Sequence, residues 1–99
     1  MLIRPDASMV IDARVDLETD DGALIHMTYG GRAVFPPHVL SQARDAEARG
    51  GIDQGDYYMR TTPAFETGSA RHLWLNDVVC VGVGRLTTEG LAYDVFQVA

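Results

Sequence analysis

The run VVCVGVGRL, Val78 to Leu86, decides between two architectures. A glycine, a valine and a second glycine after an apolar stretch can cradle a phosphate at the mouth of a helix, or they can simply be a strand. Val79, Val81 and Val83 alternate with Cys80, Gly82 and Gly84, which is the period of two of a β-strand. A dinucleotide fingerprint would need a third glycine where Thr87 stands, and a helix opening beneath it. Instead Thr88-Glu89-Gly90 makes a turn, and LAYDVFQV, Leu91 to Val98, is another strand. Gly82 and Gly84 project to one face and leave it without side chains, which permits sharp curvature or close packing of a ring or ligand. With Glu89 and Gly90 as a two-residue turn, Arg85 pairs with Asp94, Val83 with Phe96 and Val81 with Val98.

The same periodicity extends towards the N-terminus. Ile11, Ala13, Val15 and Leu17 lie on one face of a strand, and Asp12, Arg14, Asp16 and Glu18 on the other. A three-residue loop, Asp20-Asp21-Gly22, sets Leu17 opposite Ile25, Val15 opposite Met27 and Ala13 opposite Tyr29, so that apolar meets apolar. A two-residue loop would mix the faces, and Gly22 supplies the left-handed position of the longer turn. Pro36 and Pro37 introduce PHVLSQARDAEAR, expected to be one helix stopped at Gly50-Gly51. Its thin apolar face, Val39, Leu40, Ala43 and Ala46, suits a position over the outside of the sheet or across one end. Asp56 to Thr62 is expected as the third strand, ended by Pro63. A loop with a helical turn capped by Ser69 follows, and Trp74 is expected to anchor the core.

The chain of 99 residues is a single domain, residues 1–99, with five strands and one helix: a mainly β, antiparallel small barrel or strongly curved sheet. Its apolar residues form short runs, so neither a spanning helix nor a secretory leader is expected, and a cytoplasmic location fits. Cys80 lies inside an apolar strand, where a small buried hydrophobe is the common role. A net charge of −6, with the basic residues dispersed, argues against nucleic acid and against an anionic membrane.

LETDDGALI (Leu17–Ile25), YYMRTTPAFETG (Tyr57–Gly68), WLNDVVCVGVG (Trp74–Gly84) and YDVFQV (Tyr93–Val98), in that order, resemble the domain-of-unknown-function 3237 family, a likeness that runs from about Asp12 onward. The resemblance implies a small antiparallel β-barrel and brings no catalytic residues with it. Members of that family usually carry a further N-terminal region that contributes strands, and this sequence begins where that region would end. It is thus a short member or part of a longer protein, and in either case homo-oligomerisation is the expected way of hiding its open strand edges.

Two polar sets carry chemistry. Asp16 lies across from His26, with Arg14 and Thr28 as the next pair, and a carboxylate beside an imidazole makes a usable base if that face turns inward. Tyr58, Arg60 and Thr62 share one face of the third strand, where an arginine between a ring and a hydroxyl can grip a carboxylate or enolate. Glu66 follows in the loop as an acid or base at the rim. The commoner role of each is a solvated strand face, a salt bridge or a loop carboxylate. Tyr29 and Trp74 can stack a ligand, or pack in the core. His26, His38 and His72 are isolated, so neither a metal nor another cofactor is expected. These residues suggest a small-molecule binder with Arg60, Glu66 and His26 as catalytic candidates for cofactor-free isomerisation, cyclisation or dehydration. A non-catalytic assembly module is the alternative.

Overall fold

The computed structural model describes Leu2–Ile3 and residues 8–99. Strands β1 (Leu2–Ile3), β2 (Ser8–Glu18), β3 (Leu24–Val34), β4 (Tyr58–Glu66), β5 (Cys80–Thr87) and β6 (Gly90–Gln97) form one antiparallel sheet in sequence order. Two short helices, α1 (Pro37–Ala43) and α2 (Ala46–Arg49), lie between β3 and β4, and a 3₁₀ segment, Ala70–Asp77, lies between β4 and β5. The fold is mainly β, and its sheet does not close: among the described residues β6 pairs with β5 alone.

The β2–β3 hairpin has the register its face pattern predicts, Leu17 opposite Ile25, Val15 opposite Met27 and Ala13 opposite Tyr29. Thr19 N–H donates to the Ala23 carbonyl at 2.9 Å to close the turn, and Gly22 takes φ +82°, a conformation L side chains rarely adopt. The second hairpin differs from expectation by two residues. Its turn is Thr88-Glu89, with Gly90 at φ +137°, so Val83 faces Asp94 and Val81 faces Phe96. A slip of two leaves every side chain on its face. Arg85 still reaches Asp94 diagonally, Nε to Oδ2 at 3.3 Å.

Four further expectations are corrected. Pro63 does not end the third strand, which runs on to Glu66. Pro63 stands opposite Tyr29, beyond the two β4–β5 rungs Arg60↔Val83 and Thr61↔Gly82, where its missing N–H costs no pairing with β5. The single helix is two, because Asp45 leaves the helical region (φ −97°, ψ 118°) and its carboxylate accepts the Glu47 N–H at 3.0 Å, opening α2 as an N-cap. Ser69 makes no side-chain cap bond to the 3₁₀ segment, and Trp74 within it is 54% exposed, so it is not a core anchor.

The core sits at one end of the sheet. Val39 of α1 is almost fully buried and packs among Ala33, Phe35, Tyr57 and Met59, so the helices cap that end, on the face that carries the odd-numbered residues of β2 to β4. Tyr57 is buried with its hydroxyl satisfied, accepting the Leu86 N–H at 2.9 Å and tying β5 to the start of β4. The Cα radius of gyration is 15.1 Å, against about 13 Å for a compact chain of this length, as an uncovered curved sheet requires.

Candidate functional site

Tyr29 on β3 and Tyr93 on β6 meet edge to face, ring centroids 5.5 Å apart and planes at 60°. The two strands are three steps apart in the sheet, about 14 Å if it were flat. The sheet therefore curls, and this is the inner face of the curl. The glycines of the opening motif take part in it. A Cβ on Gly84 would collide with the Met59 side chain and come within 3.0 Å of Tyr93 Cε1, and one on Gly82 would collide with the Thr61 hydroxyl. The bare positions thus accept side chains from β4 and β6, and all of this lies on the apolar side of the sheet.

The tyrosine pair divides the inner face into two hollows. One, of about 250 Å³, is lined by Leu17, Met27, Thr61, Pro63, Phe65 and Val95. The other, of about 360 Å³, is lined chiefly by Met9, Ile11, Phe35, Leu40, Met59, Leu86 and Leu91, with Asp12 also contributing. Tyr29 and Tyr93 line both. Burial, reinforced by the neighbouring Tyr29 phenol, pushes the Tyr93 phenol up to about 12, so it stays a hydrogen-bond donor well above neutral pH.

Of the residues singled out in the sequence, Tyr29 alone faces these hollows. Tyr58, Arg60 and Thr62 lie together on the outer face of β4, all exposed, with the Arg60 guanidinium carbon 4.9 Å from the Tyr58 ring centroid. Glu66 is the last residue of β4 and stands opposite His26 on that same outer face. His26 Nδ1 lies 2.8 Å from Asp16 Oδ1, and the two side chains are 47% and 82% exposed. The face that would need to turn inward for this pair to work as a buried base turns outward. Trp74 lines neither hollow. The expected single site, a polar mouth above apolar residues, is therefore two separate surfaces. Tyr93, Thr61 and Met59 were missed, although a signal for them existed: they are the residues that fill the space over Gly82 and Gly84.

Cys80 is buried and free, as its apolar surroundings predict. Among the described residues no helix is long and apolar enough to cross a membrane, and no three His, Cys, Asp or Glu side chains gather as a metal-binding group would. At the far end of the sheet Asp21 holds the 3₁₀ segment to the β2–β3 turn. Its carboxylate accepts from Arg71 Nη1 at 3.1 Å and lies 3.5 Å from His72 Nε2. The Thr19 hydroxyl, which donates to it, is the main cause of a pKa below the ordinary 3.8, and His72 adds to the effect.

Known proteins are similar to this chain in sequence and in fold. A protein of Rhodopseudomonas palustris designated UPF0311 is 32% identical over 97 residues, and one of Bradyrhizobium diazoefficiens is 30% identical over 96. The match covers 98% and 97% of this chain but 61% of each relative, so the chain spans about three fifths of their length. The crystal structure of the Rhodopseudomonas palustris protein, of unknown function, superposes with a TM-score of 0.81 over 99% of this chain and 64% of that one. A protein of Acinetobacter baumannii described as beta-barrel like, 33% identical, gives 0.73 over 97% of this chain and 59% of that one. Residues 1–98 match the family described as protein of unknown function DUF3237, and the chain belongs to that family.

Proposed function

We propose that this protein binds a small apolar molecule on the inner face of its curled sheet, with the Tyr29–Tyr93 pair supplying the polar contact. The observation that carries this reading is the pair of apolar hollows of about 250 and 360 Å³ meeting at two tyrosines. Small-molecule sites are concave, mostly apolar and fitted with few polar groups, at volumes of roughly 300–1,000 Å³. The lining offers phenol and hydroxyl donors and no imidazole, and Asp12 belongs to the outward-facing set of β2, so the hollows favour binding over proton abstraction. An isomerase, cyclase or dehydratase drawing on Arg60, Glu66 and His26 would have to work from the opposite face.

A neutral fluorescent probe, N-phenyl-1-naphthylamine, tests the reading. We expect saturable, blue-shifted emission at one probe per chain, abolished by Met27→Lys and Leu91→Lys together, which place a charge in each hollow, and unchanged by Arg60→Gln on the other face. Emission that never saturates, or that survives Met27→Lys and Leu91→Lys combined in a protein with native circular dichroism, rejects the inner face as the site.

A second reading, homo-oligomeric assembly, is favoured by β6. Leu91, Val95, Phe96 and Val98 are each 42–56% exposed along or just beyond it, and Asp94 is the one charge on a strand whose outer edge is unpaired among the described residues. Addition of a second copy along that edge would cover apolar groups on both faces. Sedimentation at micromolar concentration tests it: a dimer broken by Phe96→Lys supports assembly through β6, and a monomer refutes it.

A further inference from the structure

On the outer face the register sets Arg32 of β3 directly opposite Arg60 of β4. Like charges facing each other across an antiparallel pair repel, and this chain has 14 acidic residues against 8 basic ones, so chance alone would set a carboxylate opposite an arginine more often than a second arginine. Among the described residues neither arginine has an acidic partner; the ion pairs are His26–Asp16, Arg71–Asp21, His72–Asp21 and Arg85–Asp94. Arg32 Nη1 donates to the Gly31 carbonyl at 2.8 Å, and Arg60 Nη1 donates to the Met59 carbonyl at 2.9 Å. Each guanidinium is thereby turned back along its own strand, and because the strands are antiparallel the two turn toward opposite ends of the rung, Arg60 over the Tyr58 ring, each with further N–H groups to donate.

The surroundings form a seat. An open hollow of about 490 Å³ includes Arg32, Tyr58, Arg60, Thr62, Val81 and Val83 in its lining. Beside it Gly30, opposite Thr62, leaves the sheet bare, since a Cβ there would meet nothing nearer than the Ile11 carbonyl at 3.6 Å. Two guanidinium groups and a hydroxyl at one side, and two valines at the other, match a ligand with an anionic head and an apolar body. Asp12, opposite Gly30, and the net charge of −6 weigh against a dianion such as phosphate.

We propose that Arg32 and Arg60 together bind the carboxylate of a small aromatic acid, with Thr62 donating to it and the ring resting on Val81 and Val83. Both side chains are exposed, and swinging them back over the Arg32–Arg60 rung onto a single carboxylate turns their mutual repulsion into paired charge-assisted hydrogen bonds. This site lies on the opposite side of the sheet from the apolar hollows and is independent of them.

The test is a titration of the chain with benzoate at low ionic strength, following the Nε–Hε signals of the arginines by NMR, with acetate and inorganic phosphate run in parallel. We expect saturable shifts at Arg32 and Arg60, none at Arg44 or Arg71, and tighter binding of benzoate than of acetate or phosphate. Arg32→Gln and Arg60→Gln should each weaken benzoate by about tenfold or more, the scale of a lost charge-assisted bond, while Arg44→Gln leaves it unchanged. Both substitutions are at exposed positions, and native circular dichroism of each variant separates loss of binding from loss of fold. Shifts that grow linearly without saturation, affinity that survives either substitution, or phosphate binding more tightly than benzoate would each overturn the proposal.

Discussion

Gly30 and Gly31 are adjacent in β3, and the structure gives their replacement by alanine opposite signs. At Gly31 a Cβ would point to the inner face, collide with the Arg60 carbonyl and lie 2.9 Å from Thr61 Cα. These are backbone atoms of the paired strand, which cannot rotate away. Forcing a methylene into packed space costs about 1–3 kcal/mol, while alanine returns about 0.5–1 kcal/mol by restricting the unfolded chain. With the clash against backbone, the upper part of the cost applies and the net is about 2 kcal/mol of destabilisation. At Gly30 the added Cβ points to the outer face and makes ordinary contact with the Ile11 carbonyl at 3.6 Å, so the unfolded-state gain of about 0.5 kcal/mol remains. Urea denaturation reads both changes. At a slope of about 1.5 kcal/mol per molar, Gly31→Ala should lower the midpoint by roughly 1–1.5 M and Gly30→Ala should raise it by about 0.3 M. Equal shifts for the two variants, or a Gly31→Ala midpoint indistinguishable from the parent, would show that β3 and β4 do not approach as closely as this rung requires.

Two titrations follow from the pKa shifts. Because Tyr93 holds its proton more tightly folded than unfolded, stability is fully present below pH 10 and falls as the pH rises towards about 12. Tyr93→Phe should remove that alkaline loss, and absorbance at phenolate wavelengths should show one of the four tyrosines ionising late in the native protein only. Asp21 has the opposite sign. Its folded pKa lies below 3.8, so its contribution is present above that value and is lost as the pH falls through the folded one. Asp21→Asn should flatten the acid limb and, in amide hydrogen exchange, speed the Ala70–Asp77 segment while leaving β3 protected; uniform exchange across both would refute the latch.

How much could be foreseen depended on whether a pattern had one solution. The β2–β3 register was legible because one face of β2 is apolar and the other charged, so a single slipped residue would set Leu17 against His26. The β5–β6 register was not, because Val81, Val83, Phe96 and Val98 make the outer face apolar as well, and a slip of two exchanges one valine-aromatic pairing for another. Gly90 did not decide between them. The register sets it just after the turn, opposite Thr87, where it takes a positive φ as it could also have done within the turn. Pro63 misled for a related reason: proline forbids a ladder bond on one side only, and whether a neighbouring strand is there to need that bond depends on where β5 ends its pairing. Asp45 carried the split of the helix in plain view, a side chain whose preference for the N-cap outweighs its tolerance of a helix interior.

The candidate site turned on a different question, since parity divides a strand's residues between two faces without saying which face is covered. From Tyr57 into β4 the choice looks even: Tyr58, Arg60 and Thr62 on one side, Tyr57, Met59 and Thr61 on the other, each with an aromatic ring, a long side chain and a threonine. What breaks the tie is volume. A curled sheet crowds side chains on its inner face, so the strand facing Met59 and Thr61 must give way there, and Gly84 and Gly82 do. The outer face of β5 carries Val81 and Val83 instead, side chains that would have no room if that face were the concave one. The glycine pair that first suggested a phosphate loop therefore marks the inside of the sheet. It assigns Tyr29 and Tyr93 to the enclosed surface and Arg60 to the open one, where it lies over the Tyr58 ring.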